Sequence, residues 1–153
     1  MIENNNKETP KTPYELLGIE CGKGWMVLIQ PILDYIKAYN KDKEEKDKIV
    51  ILQIKEKWGF LCIYVDNATD TLNNLIRIAE EFSGYICEMC GSSKDVGRTN
   101  GWISTLCKKC AKNKAEVDNF FPIQWHSLSE DKWYEFDEEG NETVIDMSSE
   151  DLF

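Results

Sequence analysis

Cys87-Glu88-Met89-Cys90-Gly91 and Cys107-Lys108-Lys109-Cys110 decide how this chain is read. Two C-x2-C pairs at this separation have the spacing of a four-thiolate zinc site. With Cys87, Cys90, Cys107 and Cys110 all supplying sulfur, no coordination position is left for water, so the Zn2+ expected here is structural. A redox dithiol needs one such pair beside a strand–helix unit, whereas two matched pairs point to metal. An iron–sulfur centre is the weaker metal reading.

The residues around the pairs set the local fold. Gly91 allows a tight turn whose N–H groups donate to the sulfurs. Asn100-Gly101 is a hairpin signal between Val96-Gly97-Arg98-Thr99 and Trp102-Ile103-Ser104-Thr105-Leu106. The second pair opens a helical stretch that Phe120-Phe121-Pro122 should end. Lys108 and Lys109 stand where they would offset thiolate charge. Knuckle, hairpin and a helix bearing the last two ligands is the layout of a treble-clef finger, with a zinc ribbon as the alternative.

Upstream, Trp25, Leu28, Ile29, Ile32, Leu33 and Ile36 recur at helical spacing and predict a helix from Trp25 to about Asn40, with Pro31 inside it. Trp25 belongs to the core of this reading. Gly22 and Gly24 bracket Lys23 as a turn into that helix, although such a pair could also offer N–H groups to an anion. Ile49 to Ile54 and Phe60 to Asp66 read as strands joined at Gly59, apolar on both faces and so expected to be covered by helices. Asn67 is the expected cap of a helix that buries Ala68, Leu72, Leu75, Ile76 and Ala79 and ends near Ser83-Gly84.

Downstream, Phe121, Ile123, Trp125 and Leu128 should pack back on the core or mark an interface. Trp133-Tyr134-Glu135-Phe136 and Thr143-Val144-Ile145 flank Gly140-Asn141 as an acidic hairpin. The fold class is α+β: a small two-stranded hairpin packed with helices, a four-cysteine treble-clef zinc unit, and an acidic C-terminal hairpin or tail. The expected division is a mobile tail over 1–13, an α-β-β-α core over 14–84, a zinc-binding unit over 85–121 and an acidic extension over 122–153.

The net charge of -10 opposes generic binding to polyanions. The polar start lacks the apolar segment of a signal peptide, and no apolar run is long enough for a bilayer, so a cytoplasmic, bacterial setting is expected, with no membrane partner. Charge is uneven, however. From Gly84 to Lys114, Lys94, Arg98, Lys108, Lys109, Lys112 and Lys114 face only Glu88 and Asp95. Lys94, Arg98, Lys108, Lys112 and Trp102 are therefore the candidates for nucleic-acid or anion contact. Lys23, Lys55, Lys57 and Trp58 are the candidates for a ligand or partner. His126 stands alone as the chain's one histidine and, with Ser127 and Ser129, makes no triad. Cys62 reads as a small core residue and Cys21 as a turn thiol.

Several segments together resemble a group of small uncharacterised proteins from bacteria and their phages. They are Glu20-Cys21-Gly22-Lys23-Gly24-Trp25, Gln53-Ile54-Lys55-Glu56-Lys57-Trp58-Gly59, Tyr64-Val65-Asp66, Cys87-Glu88-Met89-Cys90-Gly91 and Gly101-Trp102-Ile103-Ser104-Thr105-Leu106-Cys107. The resemblance implies a phage or mobile-element setting and no particular activity. Three functions follow from the residues. The first is a zinc-stabilised, non-enzymatic protein that binds another protein, as an inhibitor of a host system. The second is a nucleic-acid-binding regulator using the basic finger. The third is a nucleotide-binding sponge or enzyme using Lys23, Lys55, Lys57 and nearby aromatics.

Overall fold

The computed structural model describes residues 18–117 and 122–146. The expected tail over 1–13, the segment from Tyr14 to Leu17, Phe120, Phe121 and residues 147–153 lie outside them. Three α-helices and seven strands are described, in two sheets.

The first half forms as its apolar periodicity requires. A short 3-10 turn, Lys23–Trp25, leads into α1 (Met26–Asn40), which continues through Pro31 and buries Ile29, Ile32 and Ile36. β1 (Val50–Lys57) and β2 (Phe60–Asp66) pair as an antiparallel hairpin. α2 (Asp70–Ser83) packs on β2 and α1 and buries Leu72, Ile76 and Ala79. These residues share one core with Trp25, Ile54, Leu61 and Ile63. Among the described residues, only one face of the hairpin is covered. Ile54 opposite Ile63 lies on the core side, while Lys55 opposite Cys62 faces away, so Cys62 is half-buried beside a lysine rather than inside the core. The interleaved lysines suit a face that no helix among the described residues covers.

Two local expectations change. Thr69, not Asn67, caps α2, its hydroxyl accepting from the Leu72 N–H at 3.1 Å. Asn67 instead adopts a left-handed φ of 57° and donates its side-chain amide to the Lys46 and Lys48 carbonyls. The asparagine turns the chain between strand and helix, a conformation it tolerates better than most residues.

In the second half the hairpin between the cysteine pairs and the acidic segment share one sheet. β3 (Val96–Thr99), β4 (Thr105–Cys107), β5 (Ile123–Ser127), β6 (Lys132–Phe136) and β7 (Glu142–Ile145) lie in the order β4-β3-β5-β6-β7. β5 pairs with β3 through Gly97 opposite Ser127 and Thr99 opposite Trp125. The residues set apart by charge as an extension thus supply three of the five strands. α3 (Lys108–Val117) lies on this sheet. Its buried Ala111 and Ala115 belong to one core with Trp125, Tyr134 and Phe136. Small side chains there let the helix approach the aromatic layer.

The halves meet at the glycine pair. The Gly24 N–H donates to the Glu88 carbonyl at 2.7 Å, and the Gly22 N–H to the Glu88 carboxylate at 2.9 Å. The indole N–H of wholly buried Trp25 donates to the Ile86 carbonyl at 2.8 Å. A Cβ on Gly24 would sit 2.6 Å from the Glu88 carbonyl oxygen. The glycines therefore permit close backbone approach and spend their N–H groups on Glu88, not on an anion. Gly24→Ala should cost about 1–3 kcal/mol of stability by overpacking this joint. Val27→Ala, at a position 61% exposed, should change stability by less than about 0.5 kcal/mol. Urea unfolding of the two variants checks this.

Candidate metal centre and the aromatic face beside it

The four cysteines arrive on three local structures. Cys87 and Cys90 sit on the turn after α2, Cys107 ends β4, and Cys110 lies in the first turn of α3. The Cys87 turn closes through Gly91 N–H to Cys87 carbonyl (2.9 Å) and Cys87 N–H to Ser92 carbonyl (2.8 Å). Gly91 there has φ +78°, a conformation glycine adopts without penalty. The four sulfurs lie within 4.8 Å of one another, a group that could hold a metal ion. Cys90 and Cys107 Sγ are 3.7 Å apart, well beyond the ~2.05 Å of a disulfide.

The electrostatics of the cluster call for a cation. Burial, followed by hydrogen bonding to the neighbouring sulfurs and by Cys87, pushes the Cys110 thiol up. Burial does the same to Cys107, opposed by the Cys110 N–H, which donates to Cys107 Sγ at 3.4 Å. At Cys90 burial also raises the thiol, but the Ser92 N–H and the surrounding cysteines overcome it, so its pKa is lowered. A bound ion removes the repulsion that keeps the others protonated.

The turn is clamped from two sides. Glu88, between its two cysteines, is held by Gly22 and Gly24 as described, and its own N–H donates to the Thr105 carbonyl of β4 at 3.0 Å. Neither Cys21 nor His126 belongs to the cluster. Cys21 is buried, and that burial, with Glu88 and Glu56 adding, pushes its thiol up to about 12, which disfavours the thiolate. His126 Nε2 lies 2.8 Å from Asp131 and its ring packs at a tilt of 39° against Trp133.

The basic residues of the finger are divided by the fold. Lys108 and Lys112 both reach one oxygen of Glu142 on β7, at 3.0 and 2.9 Å. They also lie over the Tyr134 and Phe136 rings. The partner of Lys108 is therefore this carboxylate rather than the thiolates, a pairing that sequence distance hides. Arg98 stacks on the Phe60 ring and donates to the Gly84 carbonyl, tying β3 to the first half. Lys94 is exposed in the loop before β3.

Trp102 and Trp58, assigned by sequence to different sites, lie on loops that touch. The β3–β4 loop is wider than an Asn100-Gly101 two-residue turn. Thr105 pairs with Arg98, and the Thr99 hydroxyl accepts from the Ser104 N–H and donates to the Trp102 carbonyl. That loop expels Trp102, which is 78% exposed. Opposite it, the β1–β2 turn places Trp58 at φ 55° and Gly59 at φ 82°, with Trp58 71% exposed. The Thr105 hydroxyl donates to the Gly59 carbonyl at 2.5 Å, locking the two loops together. Lys57 flanks Trp58, whereas Lys55 lies over the Tyr64 ring and Lys23 is on the turn against Glu88. The cavity between β2 and α2 is lined by none of Lys23, Lys55, Lys57 or Trp58. Phe60, which follows this turn, packs its ring against Gly84.

Metal analysis of purified protein should give one ion per chain, and the double variant Cys87→Ser/Cys110→Ser should lose it. Unchanged metal content in that variant would refute the site. Among the described residues no helix is long and apolar enough to cross a membrane. No protein-family profile matches the chain, and comparison with curated proteins and with solved structures finds nothing similar to it.

Proposed function

We propose that this chain is a binding protein stapled by a structural Zn2+ in a treble-clef arrangement, and that it engages another protein through the face carrying Trp58 and Trp102. Zinc is favoured by four sulfurs and by their spacing. A tetrahedral ion with Zn–S bonds of about 2.3 Å sets the sulfurs about 3.8 Å apart, and the Cys90–Cys107 separation is 3.7 Å. The treble-clef reading is supported by the element order of knuckle, β3, β4 and α3. Four thiolates fill a tetrahedral shell, which favours a staple over a reactive centre.

The observation that carries the binding role is Trp58. A bulky residue at positive φ is an outlier that costs on the order of 1–3 kcal/mol. Here that conformation turns a large indole into solvent instead of the core. Asparagine would make the same turn with less strain. Two exposed tryptophans on interlocked loops, with Lys57 next to Trp58, have the composition of an interface hot spot. A protein partner is favoured over nucleic acid because Lys108 and Lys112 are neutralised internally by Glu142 and the chain carries a net charge of -10. In the phage or mobile-element setting implied by the sequence resemblance, the partner is a host protein that this chain inhibits.

Affinity capture from host lysate, with identification of bound protein and nucleic acid, tests the reading. Wild type should retain a protein that Trp102→Ala and Trp58→Asn lose, each weakening binding by about 2 kcal/mol or more. Trp58→Asn should at the same time raise stability by about 1 kcal/mol, since Asn-Gly suits this turn. Capture that is indifferent to both substitutions, or a salt-sensitive nucleic acid in place of a protein, would overturn it.

A further inference from the structure

β2 has one partnered edge and one open edge. β1 covers the first, and among the described residues no strand pairs with the second. The Leu61 N–H points to the open side, where the Ser83 hydroxyl of α2 accepts it at 2.9 Å. Backbone direction alternates along a strand, so Ile63 and Val65 aim their N–H and C=O groups the same way. β2 reads Phe60-Leu61-Cys62-Ile63-Tyr64-Val65-Asp66, with neither lysine nor proline to discourage pairing. Such an edge is a template for another strand unless something covers it.

α2 runs beside this edge without covering it. A cavity of about 400 Å³ lies between them, with Ile63, Tyr64 and Val65 on one wall and Ile76, Arg77 and Glu80 on the other. Ser83 closes it at the Leu61 end. An extended segment laid here would lie between a strand and a helix, the arrangement of peptide recognition by strand addition. Its charge leans acidic. Glu80 and Glu81 stand along the helix wall, and Asp66 and Asp70 follow Val65 and precede Asn73 in the chain, against Arg77 and against Lys55, whose ammonium lies over the Tyr64 ring. Arg77 is 3.9 Å from Glu81, while no lysine or arginine among the described residues is ion-paired with Glu80. Partial burial raises the Glu80 pKa, as expected of a carboxylate awaiting a counter-charge.

We propose that this groove binds an extended basic peptide segment, which adds to β2 as a further strand on the backbone of Ile63 and Val65, with Glu80 pairing a lysine or arginine side chain of the segment. This site is distinct from the Trp58–Trp102 face and does not depend on it.

The test uses the full-length, metal-loaded, nitrogen-15-labelled chain and two short blocked peptides, one alternating valine and lysine, the other valine and glutamate. The lysine peptide should shift the Ile63 and Val65 amide resonances and slow their hydrogen exchange. Glu80→Gln should weaken it roughly three- to tenfold, and Glu80→Lys should reverse the preference toward the glutamate peptide. Shifts centred on Trp58 and Trp102, or equal binding of both peptides by wild type and Glu80→Lys, would overturn the proposal. So would Ile63 and Val65 amides already protected without peptide in a concentration-dependent way, which would assign the edge to a second copy of the chain.

Discussion

The structure depends on one clamp, the grip of the Gly22-Lys23-Gly24-Trp25 turn on the Cys87–Gly91 knuckle. Three donors, the N–H groups of Gly22 and Gly24 and the Trp25 indole, close on Glu88 and Ile86. They do so at a distance only glycine backbone permits. The same knuckle supplies half of the cysteine cluster. The cysteine cluster and the joint between the two halves are therefore one object. An ion that fixes the knuckle also fixes the surface on which the first core seats Trp25.

A second joint repeats the logic without metal. The Thr105 hydroxyl on Gly59 and the Arg98 guanidinium on Gly84 and Phe60 fasten the β1–β2 hairpin to the β3–β4 hairpin. Because both tips are held, the exposed tryptophans on them are presented on fixed supports, which would lower the entropic cost of the proposed binding. Scaffold and contact face follow from the same few long-range bonds.

Much of this was legible in the sequence, where local chemistry decides it. The C-x2-C spacing located the cluster, helical periodicity placed α1, and Gly59 and Gly140 marked two hairpins. Features that need a distant partner were not legible. Gly22 and Gly24 look like a turn in isolation, because the backbone that requires them at Glu88 lies far along the chain. Lys108 and Lys112 look available until β7 brings Glu142 across them. The pairing of β5 with β3 overrode a boundary drawn from charge, although the alternation of Ile123, Trp125 and Ser127 was a strand signal in plain view. Trp58 and Trp102 carried no shared signal, since only Thr105 on Gly59 makes them neighbours.

The account turns on the metal cluster and the glycine clamp being one cooperative unit. Hydrogen exchange before and after chelation measures that most directly. Removing the ion should accelerate exchange of the Gly22 and Gly24 amides and the Trp25 indole N–H along with the amides of β3, β4 and α3. Fast exchange confined to β3, β4 and α3, with Gly22, Gly24 and Trp25 still protected, would contradict it.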